Sequence, residues 1–555
     1  IRRQRQMCIR DRINRDTLEN SKLVKFFKKY WIGVVAVIVV IAVIISSVGI
    51  YREEVLHIDP NVEYEDGDKL YFASNALDTL NPIVSNSTDT YYISKLIYDS
   101  LFDYTDDFNV VGELVDSYEV DTDRARIKIT LKSGIKWHDG SNLTASDVRF
   151  TVNAIKSYGS KGVYYEKASK IYSVNVTGEL TLTIYFRNNT DAALDNLIFP
   201  ILPSGQYYSS GSLIRDTDDF EPVGTGQYKY SSYDYLEKLE LVPNESYFGS
   251  KASLDACVVI LPEKELASNM MEIDAVTCYI DDTLSRYSLV SDKNFKMYDM
   301  ISNDAEFMVF NTKEGPFKDK KMRQAAAYAI DVENVLEKGY MGDGVLTDNI
   351  YYPGFMGVSD TLNNYQTDLD KSIELMAESG YQDRDLNGKI ENDDGEEVSI
   401  TILVNKDNSV RSAAAKIIAK DLSNAGFSVT LDSKDWDEYV EAIEKQEFDI
   451  LITGYDMEAS YDLRDFFDGD TLWEYINNDI LEKASQLEEL HDASEYTKIY
   501  EELKDMMLDE LPYYALCYRK MGLMGIEYFE AGQLPTFDDI YKNCNTWTWK
   551  RIKED

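Results

Sequence analysis

Histidine and basic residues are scarce in this chain of 555 residues. The three histidines are His57, His138 and His491. They are too isolated to complete a Ser-His-Asp or Cys-His set with a recognisable local signature. Lysine and arginine number 57 against 99 acidic residues, which gives a formal net charge of −42. Because nucleic acid phosphates are bound by basic surfaces, this balance excludes a nucleic acid partner.

Cysteine is sparse as well, with five residues and none between positions 8 and 257. The last four are Cys257, Cys278, Cys517 and Cys544. Their spacing fits no zinc site. An even number permits two disulfides, whose pairing the sequence does not distinguish. The apolar residues at 257–260 favour buried free thiols instead.

A nucleotide-binding loop is also missing. The segment Gly224-Thr225-Gly226 lacks the Lys-Ser/Thr ending of a phosphate loop and is typical of a turn. Carboxylates are so common here that their spacing carries no information about glycosidase chemistry. The sequence therefore predicts a protein that is not an enzyme and that needs no cofactor.

An uncharged run of 21 residues, Trp31 to Tyr51, follows a basic segment at 1–30. A bilayer core is spanned by about 20 apolar residues in a helix, and lysines on the N-terminal flank place that side in the cytoplasm. We therefore expect a single-pass anchor with the bulk of the chain outside the cell. The alternative is a cleaved signal peptide ending near 47–49, for which the apolar run is long. Residues 1–12 are Arg-rich and are interpreted as an artefactual extension.

Strand-like and helix-like patterns alternate after an acidic stalk at 52–67. The predicted strands are Lys69–Ala73, Ile127–Leu131, Leu180–Phe186, Leu239–Val242, Cys257–Leu261, Phe307–Phe310, Val398–Val404, Phe427–Leu431 and Asp449–Thr453. The predicted helices are Asp147–Lys156, Lys320–Ala329, Leu369–Glu378, Val410–Ala425, Trp436–Lys445 and Leu481–Leu508. This alternation predicts an α/β fold, with an α+β portion from the hairpins near 125–186.

One motif and seven further segments, in order, carry a resemblance to a known family. They are Trp137-His138-Asp139-Gly140 with Thr144-Ala145-Ser146-Asp147-Val148; Leu80-Asn81-Pro82; Leu96 to Phe102; Pro222 to Tyr228; Asn244 to Phe248 with Leu254-Asp255; Phe310-Asn311-Thr312; Gly315-Pro316-Phe317; and Arg323 to Asp331. Over residues 68–530 the chain resembles the family 5 extracellular solute-binding proteins, the peptide-binding subunits of ABC importers.

The resemblance implies a two-lobed clamshell like that of periplasmic binding proteins, with a small extra domain. Lobe I would comprise 68–90, 222–305 and 510–555. The extra domain would be 91–221, and lobe II 306–509. The chain would cross between lobes near 302–304 and 511–512, where two hinge strands permit closure.

The resemblance also implies partners and a place in the cell. A peptide ligand, the transmembrane subunits of a permease and their ATPases are the expected partners of a monomeric binding domain. Many relatives carry a lipid-modified cysteine after the apolar run, which this chain lacks. The apolar helix itself would then hold the protein in the cell membrane.

The segment Gly454-Tyr455-Asp456-Met457-Glu458 is the candidate ligand site. In peptide-binding relatives such a strand ends in Gly-Trp, and a later Asp pairs with the ligand's ammonium group. By that resemblance Gly454 and Tyr455 stand in the Gly-Trp place, Glu458 in the Asp place, and Asp456 is a second candidate. The alternative is a surface loop of an acidic domain.

Residues 383–394 match the calcium-loop template. The candidate ligands are Asp383, Asp385, Asn387 and Asp394. The last position is Asp rather than the usual Glu, and a predicted strand follows in place of a second helix. These departures favour an Asx-turn-rich surface loop without metal.

The expected function is capture of oligopeptides or dipeptides for an ABC importer, without bond-making. Alternatives are a non-peptide solute on the same fold, such as a nickel complex, haem or an oligosaccharide, and a tethered hydrolase. The hydrolase would need converging catalytic groups, which the sequence does not supply.

Overall fold

The computed structural model describes residues 64–552, apart from 205–207, 210–211, 214–219, 294, 361, 363–364, 461–465, 468–474 and 490–492. The predicted anchor and the basic segment lie outside these residues. No helix within the described part is both long and apolar enough to cross a bilayer.

The strands and helices are numbered in chain order. The strands are β1 Tyr64–Asp66, β2 Lys69–Ser74, β3 Phe102–Tyr104, β4 Val110–Gly112, β5 Val115–Asp121, β6 Arg126–Leu131, β7 Ile171–Val176, β8 Thr181–Phe186, β9 Tyr208–Ser209, β10 Ser212–Leu213, β11 Tyr228–Asp234, β12 Lys238–Pro243, β13 Asp255–Ile260, β14 Cys278–Asp281, β15 Lys296–Phe310, β16 Gly344–Leu346, β17 Ser399–Asn405, β18 Ser428–Lys434, β19 Ile450–Asp456, β20 Tyr513–Gly525, β21 Phe529–Glu530 and β22 Thr548–Ile552. The α-helices are α1 Thr88–Ile97, α2 Ala145–Tyr158, α3 Tyr165–Lys170, α4 Ala267–Glu272, α5 Ser285–Lys293, α6 Lys320–Ala329, α7 Val332–Asn334, α8 Leu369–Glu378, α9 Ser409–Asn424, α10 Trp436–Glu444, α11 Asn478–Ser485 and α12 Ala493–Glu510.

A mixed sheet of eleven strands runs through the molecule in the order β11-β12-β13-β2-β14-β20-β15-β19-β17-β18, with β16 also on β20. Parallel pairs lie toward both ends, and the antiparallel strands β15 and β20 lie in the middle. This arrangement confirms the predicted mixed α/β fold. A separate antiparallel sheet, β5-β6-β8-β7, forms the predicted α+β portion.

The long strands β15 and β20 join the two ends of the main sheet. Their pairing register shifts between Ile301 and Ala305, which is the place predicted for a crossing between lobes. Such an irregularity bends a strand and increases its local twist. The hydroxyl of Ser302 donates to the Arg519 carbonyl at 3.0 Å and stabilises the bend.

All nine predicted strands are present and end within three residues of the predicted C-terminal residue, and five of the six predicted helices agree within two residues at each end. The prediction of one helix over Leu481–Leu508 is wrong, because α11 and α12 are separate. Lys483 and Glu502 join these two helices in an ion pair of 2.6 Å. Apolar spacing alone does not distinguish one long helix from two that pack together.

The predicted stalk at 52–67 extends too far toward the C-terminus. Residues Tyr64–Asp66 form β1, which pairs with β22 near the C-terminus. The main chain of Tyr64–Asp66 therefore belongs to the folded domain, although its side chains are polar. A side-chain pattern does not reveal pairing with a strand so distant in the chain.

His138, in the signature motif, forms hydrogen bonds that connect its own turn to the distant turn at Gly224 and Gly226. The backbone amide of Gly224 donates to Nδ1 at 3.2 Å, and Nε2 lies 3.0 Å from the Gly226 carbonyl oxygen. Burial lowers the pKa of His138 to about 4, so the ring is neutral and Nε2 donates. A Cβ at Gly224 would lie 1.8 Å from the carbonyl oxygen of Ile97, and only glycine permits this approach.

The four described cysteines are buried free thiols, which confirms the preferred interpretation. Cys257 lies in β13, where its burial raises the pKa of the thiol to about 11. A thiol held in the neutral form is a packing group rather than a nucleophile.

Candidate functional site

The candidate segment 454–458 ends strand β19, beside the bend in β15. Gly454 pairs with Glu306, and a Cβ at Gly454 would lie 2.0 Å from Nη2 of Arg411. The glycine is therefore needed because the guanidinium group occupies the space of a side chain. The Gly-Trp pattern of the family predicted a glycine at this position but did not explain why a glycine is needed there.

The next residues alternate between packing and exposure. Tyr455 packs edge-on against Phe466 with ring centroids 5.0 Å apart. Asp456 is exposed and lies opposite Asp304 in the ladder. Met457 is buried, and its backbone amide donates to the Asn303 carbonyl at 2.8 Å. The segment is thus tied directly to the bend between β15 and β20.

Glu458 is exposed, and its carboxylate accepts a hydrogen bond of 3.4 Å from Ser460. Its negative charge also contributes to the electrostatics of Lys167 on α3. Burial lowers the pKa of Lys167, while the carboxylates of Asp195, Asp538 and Glu458 oppose this shift. The assignment of Glu458 as ligand anchor stays a prediction.

A second charged surface, here called the α1 wall, is built around Asp538. Lys95 of α1 forms an ion pair with Asp538 at 2.5 Å, and the Tyr91 hydroxyl donates to the same carboxylate at 3.1 Å. The Lys95 ammonium also lies 4.9 Å from the centre of the Tyr91 ring. Burial disfavours the charged lysine, but the Asp538 carboxylate holds the pKa of Lys95 well above its usual range.

Two more residues of the α1 wall have a free donor. The hydroxyl of Tyr104 is buried and has no hydrogen-bond partner among the residues that the structure describes. The half-buried Lys167 pairs with no carboxylate in the same set of residues. The sequence analysis did not identify Tyr104 or Lys167, because a single Tyr or Lys forms no sequence pattern that indicates a site.

Beyond the bend, the two sides of the molecule touch through aromatic rings. Phe108, between β3 and β4, stacks on Phe537 with ring centroids 4.9 Å apart and contacts Tyr352 at 5.1 Å. The amide of Met356 donates to the Asp107 carbonyl at 2.8 Å. The loop between β3 and β4 therefore contacts both Phe537, next to Asp538 of the α1 wall, and the segment 352–356.

Two buried ion networks flank the bend, and neither was predicted. In one, Asp343 forms ion pairs with both Arg286 and Arg519, and Nη2 of Arg519 lies 2.6 Å from the Asp343 carboxylate. In the other, Glu306 accepts from Arg411 at 2.7 Å and from the Tyr340 hydroxyl at 3.1 Å. Asp343, Arg286 and Glu306 have fully buried side chains.

The calcium-loop candidate brings only part of its template together. Carboxylate oxygens of Asp383, Asp385 and Glu391 lie within 4.8 Å of one another, whereas Asp394 is not in this group. Asp383 instead accepts from the backbone amides of Asn387 and Gly388 at 3.0 and 2.9 Å. Strand β17 follows the loop, as predicted, in place of a second helix.

The sequence model of the "Bacterial extracellular solute-binding proteins, family 5 Middle" matches residues 109–470. The chain belongs to this family, as the sequence motifs had predicted. Its members bind solutes for ABC importers and are not enzymes, so this chain is a binding protein.

Three known proteins illustrate the similarity. The oligopeptide-binding protein AppA of Bacillus subtilis is 24% identical over 512 residues, which cover 87% of this chain and 92% of AppA. Heme-binding protein A of Haemophilus influenzae is 27% identical over 317 residues, covering 52% of this chain and 57% of that protein. The crystal structure of a nickel ABC transporter protein from Bacillus halodurans has a TM-score of 0.73 at 17% identity, covering 87% and 100% of the two chains.

Proposed function

We propose that the protein captures peptides outside the cell and delivers them to an ABC permease. The similarity to an oligopeptide-binding protein along nearly the whole of both chains is the observation that carries this proposal. Glu458 would hold the ligand's ammonium group, with Asp456, Tyr455 and Gly454 lining the same end of the cleft. ATP would be hydrolysed by separate subunits.

The proposed mechanism is closure of two lobes on a ligand. Lobe I would comprise 68–90, 222–305 and 510–555, and lobe II 306–509, with 91–221 as the extra domain. Strand β15 would cross from lobe I into lobe II, and the bend after Ile301 would absorb the change in backbone angles. A peptide that contacts both lobes shifts the equilibrium toward the closed form.

Peptides are expected to stabilise the protein without being consumed. Binding to the native state alone adds about 2.7 kcal/mol at a ligand concentration a hundredfold above Kd. A mixture of tripeptides should therefore raise the melting temperature, and mass spectrometry should recover the mixture unchanged. Cleavage of any peptide in stoichiometric excess would contradict a pure binding function.

Substituting Glu458→Gln should weaken binding of peptides with a free amine. A hydrogen bond to a charged group contributes about 1.5–3 kcal/mol, so the loss should be roughly tenfold to a hundredfold in affinity. N-acetylated peptides should bind wild type and variant equally, and Asp456→Asn should have a smaller effect. Titration calorimetry measures the affinity of each protein for each of the two kinds of peptide. Equal affinity of wild type and Glu458→Gln for a free-amine peptide would remove Glu458 from the site.

A non-peptide solute is the second candidate. The similarity to a heme-binding protein over more than half of this chain favours it. Mass spectrometry of ligand that co-purifies with the protein separates the candidates, because a peptide, a haem and a metal chelate differ in mass and absorbance.

We propose further that residues 31–51 hold the protein in the cell membrane with the binding domain outside. The uncharged run and the absence of cysteine after it support this proposal. Fractionated cells should contain a full-length membrane form whose domain is removed by protease added outside. A mature form in the medium that begins near residue 50 would indicate a signal peptide instead.

A further inference from the structure

A pair of carboxyl groups lies at the base of the hairpin β3–β4, here called the arm (residues 102–112). Asp99 precedes β3 and Glu113 follows β4, and their two carboxyl groups are hydrogen-bonded to each other. The main chain also closes the base, because the Glu113 amide donates to the Leu101 carbonyl at 3.0 Å. Ionised carboxylates can only accept, so a hydrogen bond between two of them requires a proton on one.

Asp99 receives its other hydrogen bonds from segments assigned to lobe I. Its side chain is buried, one carboxylate oxygen accepts from the Thr225 hydroxyl at 2.6 Å, and the other accepts from the Tyr247 hydroxyl at 3.1 Å. Hydrogen bonds to the ionised form favour that form. Asp99 is therefore the acceptor of the pair, and the proton belongs to Glu113.

The surroundings of Glu113 agree with this assignment. Glu113 is half-buried, and its Oε2 accepts from the Ser100 amide at 3.2 Å, which leaves Oε1 to carry the proton toward Asp99. Burial raises the pKa of Glu113 well above its usual range, and the carboxylates of Asp99 and Asp103 raise it further. Burial also raises the pKa of Asp99, although the hydroxyl donors oppose this shift.

The other charged groups around the pair do not supply a counterion. In the part of the chain that the structure describes, no lysine or arginine nitrogen lies within 4.0 Å of either carboxyl group. Lys542, from the C-terminal segment, pairs at 3.4 Å with Asp103 of β3. Lys132, which follows β6, lies 5.4 Å from the centre of the Phe248 ring. Burial lowers the pKa of His138 to about 4, so this ring carries no charge at neutral pH.

The tip of the arm contacts segments assigned to both lobes. Phe108 stacks on Phe537 of lobe I and contacts Tyr352 of lobe II, with ring centroids 4.9 and 5.1 Å apart. The Asp107 carbonyl accepts from the Met356 amide of lobe II at 2.8 Å. The carboxyl pair therefore lies at the base of a hairpin that joins the two lobes.

We propose that Asp99 and Glu113 share one proton that holds the base of the arm in place, and that the arm loosens when a rise in pH removes this proton. Two carboxylates then lie side by side, and like charges at short range repel each other. Asp99 keeps its two hydroxyl donors, whereas the half-buried Glu113 turns toward water and gives up the Ser100 amide. The contacts at the tip and the ion pair of Lys542 remain.

The direction of the pH effect follows from the unfolded chain. There the two carboxyl groups ionise near their ordinary pKa values of 3.8 and 4.5. Above about pH 5 the folded protein therefore holds a proton that the unfolded chain has lost. The stability contributed by the pair falls as the pH rises from there through the pKa of the folded pair, and it stays constant above that value.

Infrared spectroscopy of the full chain detects the shared proton. Glu113→Gln replaces the proton with an amide group that donates to Asp99 at every pH. At about pH 5.5 ordinary carboxyl groups are ionised, so the spectrum of wild type minus that of Glu113→Gln should contain the band of one protonated carboxyl group. The band should disappear from this difference in alkaline solution.

Hydrogen exchange measured by mass spectrometry detects the loosening. Protection of the segments 99–113 and 352–356, corrected for the exchange of unprotected amides, should fall several-fold in wild type between about pH 5.5 and about pH 8.5. It should stay constant in Glu113→Gln. Asp116→Asn, which removes an exposed carboxylate near the pair, should behave as wild type does. Strand β6 is the internal reference and should keep its protection in all three proteins.

Either measurement can overturn the proposal. A difference spectrum without the carboxyl band at about pH 5.5 would show that Glu113 holds no proton there. An equal fall of protection in wild type and Glu113→Gln would show that the pair does not control the arm. Burial also raises the pKa of Asp539 to about 6, but this residue is common to all the proteins and cancels in the comparison. If Glu113→Gln fails to fold, wild type decides, because protection of the arm that is independent of pH contradicts the proposal and a fall confined to the arm supports it.

Discussion

Replacing Asp343 with asparagine is expected to lower the free energy of unfolding by about 3–5 kcal/mol, the usual cost of breaking a buried ion pair from one side. Asp343 is fully buried between Arg286 of α5 and Arg519 of β20, and it also accepts from the Tyr287 hydroxyl at 3.0 Å. The substitution keeps the size of the side chain but removes its charge. Two buried guanidinium groups then lose the carboxylate that they share.

The measurement is urea unfolding of wild type and variant, with Asp299→Asn as the matched control. Asp299 pairs at 3.2 Å with Lys520, the residue next to Arg519, but its side chain is 44% exposed. Surface pairs contribute about 0–1 kcal/mol, so the control should lose little. A loss in Asp343→Asn no larger than in Asp299→Asn would show that the triad does not stabilise the fold.

Arg411→Met is expected to cost about as much, again roughly 3–5 kcal/mol at neutral pH. The substitution leaves the Glu306 carboxylate buried without its charged partner and keeps only the bond from Tyr340. Burial already raises the pKa of Glu306, and removal of the arginine raises it further. The folded state then binds a proton that the unfolded state releases near pH 4.5, so the destabilisation should grow as the pH rises above that value.

The double variant Arg411→Met with Glu306→Gln provides the internal control. Once the carboxylate is neutral, the lost arginine leaves no buried charge, and most of the stability should return. Arg551→Met, which breaks an exposed pair with Glu65, should change stability by about 0–1 kcal/mol. Failure of the double variant to recover stability would mean that Arg411 acts by packing against Gly454 rather than by charge.

Both networks lie beside the bend that the proposed closure would use. Asp343, from the segment assigned to lobe II, is bonded to Arg286, from the segment assigned to lobe I. The pair is fully buried, whereas Glu458, the proposed ligand anchor, is exposed. Removal of the pair should therefore affect stability before it affects affinity for ligand.

The local structure of this protein was largely determined by patterns close together in the sequence. Helices α6 and α8 begin and end at the predicted residues, because their N-caps Asp319 and Asp368 precede a regular apolar spacing. The prediction of a single helix over Leu481–Leu508 failed because α11 and α12 share one apolar spacing. The family motifs singled out residues 302–304 and Gly454, but they did not predict the register shift in β15 or the close approach of Arg411 to Gly454.

Tertiary structure alone decided which side chains meet. Lys95 and Asp538 are 443 residues apart in sequence, and Arg286 and Asp343 are 57 apart. No spacing rule relates such residues, since their contact depends on the order of the strands in the sheet. Propensity and periodicity act over a few residues, whereas a binding surface is assembled from segments that only the folded chain brings together.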